Sequence, residues 1–452
     1  MAKVKQIKSM QERLEEAIVP KEQAPFAIPE NWCWVRIGYL SNLYTGNSIN
    51  EKIKADKYTG IEEGRTYIST KDISFDSVID YNTGVKIPYD EKKFKVAPSQ
   101  SVLLCIEGGS AGRKIGFLQQ EVCFVNKLCC FNFYEYVSGL YGYYFLQSSE
   151  FYKMFQDRKV GLIGGVSVNN LKEIPFPIAP IAEQKRIVDK IESLFLRLDE
   201  AKELIQKSLN EFEDRKSAIL HKAFNGELTS KWRARNNLIK NNEKKPFNEF
   251  CQVVRGGSPR PAGSELYYNG TIPFMKVGDI TNSRSPYIVK CSSSIKEAGL
   301  SKTRIVPENT LLLTNSGATL GVPGITTFTT AFNDGIAAFI GIDPKSIKYF
   351  YYFWLSKTQS LRALNIGAAQ PNLNTNIIGR VQVIIPTIRE QQEIVRILDN
   401  FFEKEDKSKE LLDMIDQIEE IKKSILARAF RGELGTHSET DEPAIELLKK
   451  II

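Results

Sequence analysis

Residues 182–188 read AEQKRIV, and 207 positions later residues 389–395 read REQQEIV. Working outward from this pair, KSAILHKAFNGEL at 216–228 returns as KSILARAFRGEL at 423–434, one residue shorter. Upstream, YISTKDI at 67–73 matches FMKVGDI at 274–280, again 207 apart. VLLCIEGGSAGRKIGF at 102–117 matches TLLLTNSGATLGVPGI at 310–325, and YYFL at 143–146 matches YYFW at 351–354, both 208 apart. Self-similarity at one offset means a duplication, here of roughly two hundred residues, and it covers most of the chain.

Each copy has two parts. The second part has the pattern of a long helix. Apolar residues fall at Ile187, Ile191, Leu194, Leu198, Ala201 and Ile205, then at Phe212 and Ile219, the four-three spacing of a coiled-coil seam with Ser208 and Arg215 as weak links. Pro180 precedes the start and Glu183 lies in the first turn, where a carboxylate suits the positive dipole end. Gly226 and Gly432, in AFNGEL and AFRGEL, mark the ends, where a left-handed cap favours glycine. The second seam runs Ile394, Leu398, Phe401, then Leu412, Ile415, Ile418 and Ile425, interrupted by Glu405 and Ser408. A continuous helix over 181–224 would span roughly 65 Å, and it cannot bury its stripe alone. Packing against its own repeat in antiparallel sense would put the two preceding domains at opposite ends, related by a pseudo-two-fold axis.

Those preceding parts are rich in Gly, aromatics and short apolar runs. Ser-Val-Leu-Leu-Cys-Ile at 101–106 and Leu-Leu-Leu at 311–313 read as buried strands followed by Gly-rich turns. The expected fold class is α+β. An N-terminal amphipathic segment (1–24) precedes a first domain (25–178), a first spacer helix (179–230) and a basic linker (231–244). A second domain (245–385), a second spacer helix (386–435) and a C-terminal tail (436–452) follow. Residues 231–245 carry Lys231, Arg233, Arg235, Lys240, Lys244 and Lys245 against Glu243 and read as a solvated linker, with phosphate contact as the alternative. Residues 4–18 (Val4, Ile7, Leu14, Ile18) and 443–451 (Ala444, Leu447, Leu448, Ile451) are amphipathic, and the sequence leaves open whether they dock on the chain or on a partner.

Composition narrows the chemistry. The 452 residues are 42% hydrophobic and 25% charged, ordinary values for a globular protein and incompatible with wholesale disorder. No apolar run reaches membrane-span length and no signal-peptide core follows the basic start, so no membrane association and a cytoplasmic location are expected. The net charge of +7 permits a polyanionic partner without demanding one. Seven Cys form no C-x-x-C pair and point to reduced thiols rather than a metal site. Of the two His, His221 ends a helical pattern and His437 lies in a polar tail, poor settings for hydrolysis.

The ordered set of features resembles the specificity subunit of type I restriction-modification systems over nearly the whole chain. It comprises the duplication, the proline-led A-E-Q-K-R-I and R-E-Q-Q-E-I starts, the long helices and the A-F-x-G-E-L closes. IPENWCWVRIGYL at 28–40, RGGSPRP at 255–261, GAAQPNLN at 367–374 and TDEPAIELLKKI at 440–451 belong to the same resemblance. It implies that each α+β domain is a target-recognition domain on double-stranded DNA. The target would then be bipartite and asymmetric, with the helices setting the gap. It further implies two copies of a DNA adenine methyltransferase subunit as partners, with S-adenosylmethionine bound there and no cofactor in this chain. A translocating restriction endonuclease subunit is a further partner in the family. No catalytic or metal-binding residue is expected here. The chain has no Pro-Pro dipeptide, which excludes the adenine-methyltransferase motif, and GGSAGRKIG at 108–116 lacks the spacing of a nucleotide-binding loop.

Affinity for DNA would come from Lys and Arg on phosphates and specificity from side chains at base edges. The candidates are Lys71, Arg113, Lys114, Asn169 and Asn170 in the first domain. In the second they are Arg255, Ser258, Arg260, Lys276, Asn315, Gln370 and Asn372. Arg suits guanine, and Asn or Gln suits adenine. Gly256 and Gly257 read as turn formers, and the matched Asp72 and Asp279 as turn or cap residues. The competing readings are a coiled-coil scaffold that reads no sequence and a metal-dependent nuclease around Asp80 and Glu91-Lys92-Lys93.

Overall fold

The computed structural model describes residues 9–161, 164–283, 285–317, 319–363, 373–404 and 407–452. The chain forms two compact units. The first joins the residues up to Leu204 with Asp413–Ile452, and the second is Ile205–Leu412. The division therefore does not follow the repeat. It cuts both helical regions, and it groups the C-terminal tail with the first domain.

The duplication is visible in the topology. Unit 1 has an antiparallel sheet in the order Ser41–Thr45, Leu128–Phe133, Val102–Cys105, Ile115–Phe117. Its second sheet runs Lys86–Ile87, Arg65–Ile68, Val122–Phe124, Val96–Ala97, with one parallel pair where Tyr67 faces Cys123. Unit 2 repeats both orders. Gln252–Arg255, Ile336–Ile340, Leu311–Thr314 and Pro323–Thr326 form the first, which gains Tyr287–Ile288 at its edge. Ser294–Ile295, Tyr268–Met275, Thr330–Phe332 and Arg304–Val306 form the second, with the parallel pair retained where Phe274 faces Ala331. A third, two-stranded pairing closes each unit: Cys33–Arg36 with Pro175–Ile178, and Lys244–Pro246 with Gln382–Ile384.

The central strands explain why their sequences are apolar without alternation. Val102 and Leu104 enter one core, with Phe145, Phe151 and Phe176, while Leu103 and Cys105 enter another, with Ile68 and Phe124. Unit 2 divides Leu311 and Leu313 from Leu312 in the same way. Both faces of the strand are covered, so both sets of side chains must be apolar.

Ile181–Phe224 is one helix of 44 residues. The second helical region is described as Ile388–Lys404 and Lys407–Phe430. The two run antiparallel within each unit. In unit 1, Lys422 Nζ lies 2.5 Å from Asp199 Oδ1, and Lys202 Nζ lies 2.6 Å from Glu419 Oε1. In unit 2 the Phe212 ring stacks on Phe401 with centroids 6.4 Å apart. Ile187, Ile191, Ile205, Ile394, Leu398 and Ile418 are buried in the seam as expected. Leu412 is not: it is 55% exposed, and Leu411 turns inward instead. The inward series Leu411, Ile415, Ile418, Lys422, Ile425 keeps the four-three spacing by admitting Lys422, whose stem can pack while its ammonium meets Asp199. Glu405 and the side chain of Ser408 lie outside the described residues.

Both terminal segments dock on unit 1. Met10–Ala17 is a helix with a reciprocal Ser9–Glu12 cap, and Ala444–Ile451 is a second helix. Leu14, Ala17, Ala444, Leu447 and Leu448 share one core with Trp32 and Ile37. Val4 and Ile7 lie outside the described residues. No helix among the described residues is long and apolar enough to cross a membrane.

The repeated E-Q and G-E-L motifs meet each other. Glu183 is fully buried and accepts hydrogen bonds from Trp32 Nε1 (2.9 Å) and Thr436 Oγ1 (3.2 Å). Glu390, its repeat partner, is buried and accepts from Thr229 Oγ1 (2.7 Å) and from Arg233. Thr229 and Thr436 follow the two G-E-L closes, so each helix start is tied to the end of the other repeat's helix. Dipole compensation, expected for Glu183, is thus only part of its role. Gly226 and Gly432 hold the positive φ of +80° and +75° expected of end caps.

The linker reading needs correction at Arg233. Ser230–Arg235 is helical, and Arg233 is buried on Glu390, donating also to Thr229 Oγ1 and the Gly226 carbonyl. A buried carboxylate holds such a residue out of solvent. Arg233→Ala, which leaves the carboxylate buried without its cation, should cost unit 2 about 3–5 kcal/mol. Urea denaturation of the full chain should show one transition moved to lower denaturant; an unmoved profile would mean that the pair contributes nothing net.

Candidate functional site

In unit 1 the turn after Val102–Cys105 spans Glu107–Lys114, with Gly108 and Gly112 at positive φ. Its Lys114 Nζ donates to the Thr70 carbonyl at 2.8 Å, which joins it to the 69–80 loop. Phe75 in that loop is 56% exposed. Arg113 lies 4.8 Å and Lys114 Nζ 5.1 Å from its ring centroid, an arrangement in which the π face holds two cations at the surface. Lys71 is exposed in the same loop. Asp72 caps it, accepting from Ser69 N (2.8 Å) and Ser69 Oγ (2.5 Å).

Asn169 and Asn170 are exposed in the first turn of Val168–Lys172, capped by Ser167. The segment before it pairs with the same turn: Val166 N donates to the Ile106 carbonyl at 3.0 Å, and Gly165 bridges Glu107. The five first-domain candidates therefore lie on connected loops, with the Phe75 ring against two of them, Arg113 and Lys114. Phe75 escaped the sequence reading. Its signal is a single aromatic among Ser74, Asp76 and Ser77, a turn context that offers no core to pack in.

In unit 2 Arg255 and Ser258 are held on the 332–336 loop. Arg255 Nε donates to the Asp334 carbonyl and Ser258 Oγ to Asp334 Oδ1, both at 2.6 Å. Gly256 and Gly257 are not turn formers of the left-handed kind. A Cβ on Gly256 would lie 2.3 Å from the Asn333 carbonyl oxygen and one on Gly257 2.1 Å from that of Lys302, so close backbone approach requires them. Gly46 stands in the same relation to Phe124 in unit 1, its Cβ falling 1.8 Å from the carbonyl oxygen. Lys276 is exposed and opens a short helix whose Asp279 caps it, accepting from Lys276 N (2.8 Å) and Ser292 N (3.0 Å). Arg260 is exposed and makes no ion pair among the described residues.

Asn315 departs from the expectation of a surface contact. It is fully buried, its backbone N donates to the Gly335 carbonyl, and its carbonyl accepts from Leu373 N. Its carboxamide has no hydrogen-bond partner. The side chain follows a strand covered on both faces, so it turns inward beneath the loop and cannot reach a base edge from there. Gln370 and Asn372 lie outside the described residues.

The thiols are desolvated, and the carboxylates of the nuclease reading have local partners. Burial pushes the Cys33 and Cys251 thiols up to about 12 and, with a smaller opposing effect of Arg65, the Cys123 thiol up to about 11. Glu91 is engaged by Tyr58 Oη (3.1 Å) and Lys93 Nζ (3.5 Å), and Asp80 caps its own turn through Asn82 N (2.8 Å). Among the described residues no three His, Cys, Asp or Glu side chains are grouped to hold a metal ion.

The family model for the type I restriction modification DNA specificity domain matches twice, over residues 29–211 and 239–417. The chain belongs to this family. It is 26% identical over 330 residues to the type I restriction enzyme EcoKI specificity subunit of Escherichia coli K12, covering 66% of this chain and 68% of that one. A 178-residue stretch is 30% identical to the MjaIX specificity subunit of Methanocaldococcus jannaschii, covering 38% of this chain and 41% of that subunit. The fold is that of the HsdS subunit from Thermoanaerobacter tengcongensis, at a TM-score of 0.52 and 17% identity over 91% of this chain and 99% of that one. A chain from a solved type I restriction-modification system matches with a TM-score of 0.70, also at 17% identity, over 91% of this chain and all of that one.

For this specificity-family chain the raised thiols have a direct consequence. The thiolate is the reactive form, and desolvation suppresses it. At pH 8 iodoacetamide should label native Cys33, Cys123 and Cys251 far more slowly than the same residues in guanidinium, as read by mass spectrometry. Native labelling as fast as in denaturant would contradict their burial.

Proposed function

We propose that this chain is the sequence-reading subunit of a type I restriction-modification complex, recognising a bipartite, asymmetric target on double-stranded DNA with one half read by each unit. The observation that carries the reading is one sheet topology built twice with unlike loops. Where unit 1 presents Phe75, Arg113 and Lys114, unit 2 presents Arg255, Arg260 and Lys276. A common frame with different surface side chains is what two unequal half-sites require. The methyl transfer and the S-adenosylmethionine belong, in this reading, to two copies of a DNA adenine methyltransferase subunit, and a translocating restriction subunit joins the same assembly. The antiparallel helices set the gap between the halves.

Arg260 is assigned base contact and Lys71 phosphate contact. Arg260→Ala should reduce discrimination at one base pair of one half-site by about 1–3 kcal/mol, and Lys71→Ala should weaken all sequences alike. Competition binding of the assembled methyltransferase complex on a set of single-base variants separates the two. Equal affinity of the unmutated complex for every duplex would instead favour a scaffold.

The ruler is tested by adding one heptad to each helical region, near Leu198 and near Ile418, which preserves both seam register and the buried carboxylate contacts. The added length is about 10 Å, or about three base pairs at 34–36 Å per turn. Mapping of methylated adenines should show the same half-sites with the gap widened by that amount. An unchanged gap would remove the helices from that role.

A further inference from the structure

Unit 2 contains a cleft of about 1000 Å³ between the later part of the long helix, the helix Ile347–Ala363 and the paired strands Lys244–Pro246 and Gln382–Ile384. Four cations line it, Lys216, Lys244, Lys357 and Arg362, against one carboxylate, Glu213, which already pairs with Lys216 at 3.1 Å. Lys357 is half-buried and makes no ion pair among the described residues. Its ammonium rests 5.5 Å from the Phe353 ring centroid. Burial, and then the charge of Lys244, hold its pKa below the usual lysine range.

Two like charges brought together over a partly apolar floor oppose folding, so the fold itself does not call for them. The other repeat makes the same point. The 208-residue offset that equates YYFL with YYFW places Ser149 at the position of Lys357. The two-stranded pairings place Trp34 at the position of Lys244. The same architecture is built there without either charge. A half-desolvated ammonium lacking a counter-ion, in a cleft, is the mark of a site whose anion comes from outside.

The cleft adjoins the candidate loops of unit 2. Thr358 Oγ1 donates to the Gly321 carbonyl (2.7 Å) and Arg362 Nε to that of Leu320 (3.0 Å). These belong to the turn that begins at Asn315, which is bonded to Gly335 beside Asp334. The geometry points to a phosphate-binding subsite in which Lys357, Lys244 and Lys216 hold the DNA backbone beside the bases read by unit 2. This rests on the reading of the chain as a DNA-recognition subunit and adds a contact that carries no sequence information. DNA offers a phosphate charge about every 1.7 Å of helix axis, and a row of ammonium groups releases the counter-ions condensed on it.

The test uses the assembled methyltransferase complex and two short duplexes, one carrying the methylated target and one lacking it. Affinity is measured against salt concentration. Lys357→Gln and Lys244→Gln should each reduce the slope of log K on log salt by about 1. Both duplexes should be weakened alike, and the methylated sequence should stay the same. Lys357→Arg, which keeps the charge, should retain the original slope. Thermal unfolding of Lys357→Gln should not fall, because the change removes a like-charge contact, and the exposed Lys244 gives a variant independent of packing. Unchanged slopes in both glutamine variants overturn the subsite. So does failure of the variant chains to join the methyltransferase, which would mark the cleft as a protein contact. An unmutated complex that ignores target sequence overturns the underlying reading, and the subsite with it, and is recognised in the wild-type titration alone.

Discussion

Two buried carboxylates at helix starts determine which parts of this chain belong together. A carboxylate taken out of water is tolerable only when its oxygens are hydrogen-bonded. The first turn of a helix supplies a favourable dipole but no side-chain donors. Glu183 finds its donors in Trp32 and in Thr436, and Glu390 in Thr229 and Arg233. Both threonines lie just past the end of the opposite repeat's helix. Neither repeat therefore supplies all the donors of its own buried glutamate, and each unit is assembled from parts of both. The grouping of Asp413–Ile452 with the first domain is the direct outcome.

The two sites solve the same electrostatic problem differently. Unit 2 supplies a full cation, Arg233, from the short helix after G-E-L. Unit 1 supplies an indole N–H from Trp32 in the IPENW segment, and His437 Nδ1 stands 3.9 Å from the carboxylate. The same segment packs close to the end of the second helix, since a Cβ on Gly432 would fall 2.2 Å from Pro29 Cγ. The IPENW segment and the basic 230–235 helix, unrelated in sequence, thus occupy comparable stations. This explains why the repeat fades in those stretches while EQ and GEL persist.

Features with local periodicity were legible from the residues alone: the duplication, the central strands, the first seam and the glycine caps. What stayed hidden depended on partners far along the chain. Arg233 sits in a run of basic residues that looks solvated until Glu390, 157 positions on, is placed against it. Leu412 and Leu411 are equally apolar, and only the helix facing them decides which turns inward. Asn315 has the composition of a surface reader, yet it follows a strand buried on both faces. Gly256 and Gly257 have the composition of a turn, yet the neighbouring carbonyls, not φ, exclude a side chain. At the candidate site the charged residues were recognisable by type, whereas Phe75 and Lys357 acquire meaning only from the cations around them.

A frame this closely packed has a consequence for how recognition could diverge. Gly46 in unit 1 and Gly256 in unit 2 pin equivalent loop bases against the Phe124 and Phe332 carbonyls. The residues beside them differ: Thr45 and Asn47 in one, Arg255 and Gly257 in the other. A pinned backbone presents its side chains with little further ordering on binding, which favours affinity and register. Of these Arg255 is exposed, so a substitution there changes what is presented without disturbing the carbonyl contacts, whereas Gly257 is held by the Lys302 carbonyl and is not free to vary. The unequal charge of the two units follows the same logic. Lys357 and Lys244 stand in unit 2 at positions where unit 1 has Ser149 and Trp34, so the charge each unit carries varies independently of the frame that holds it.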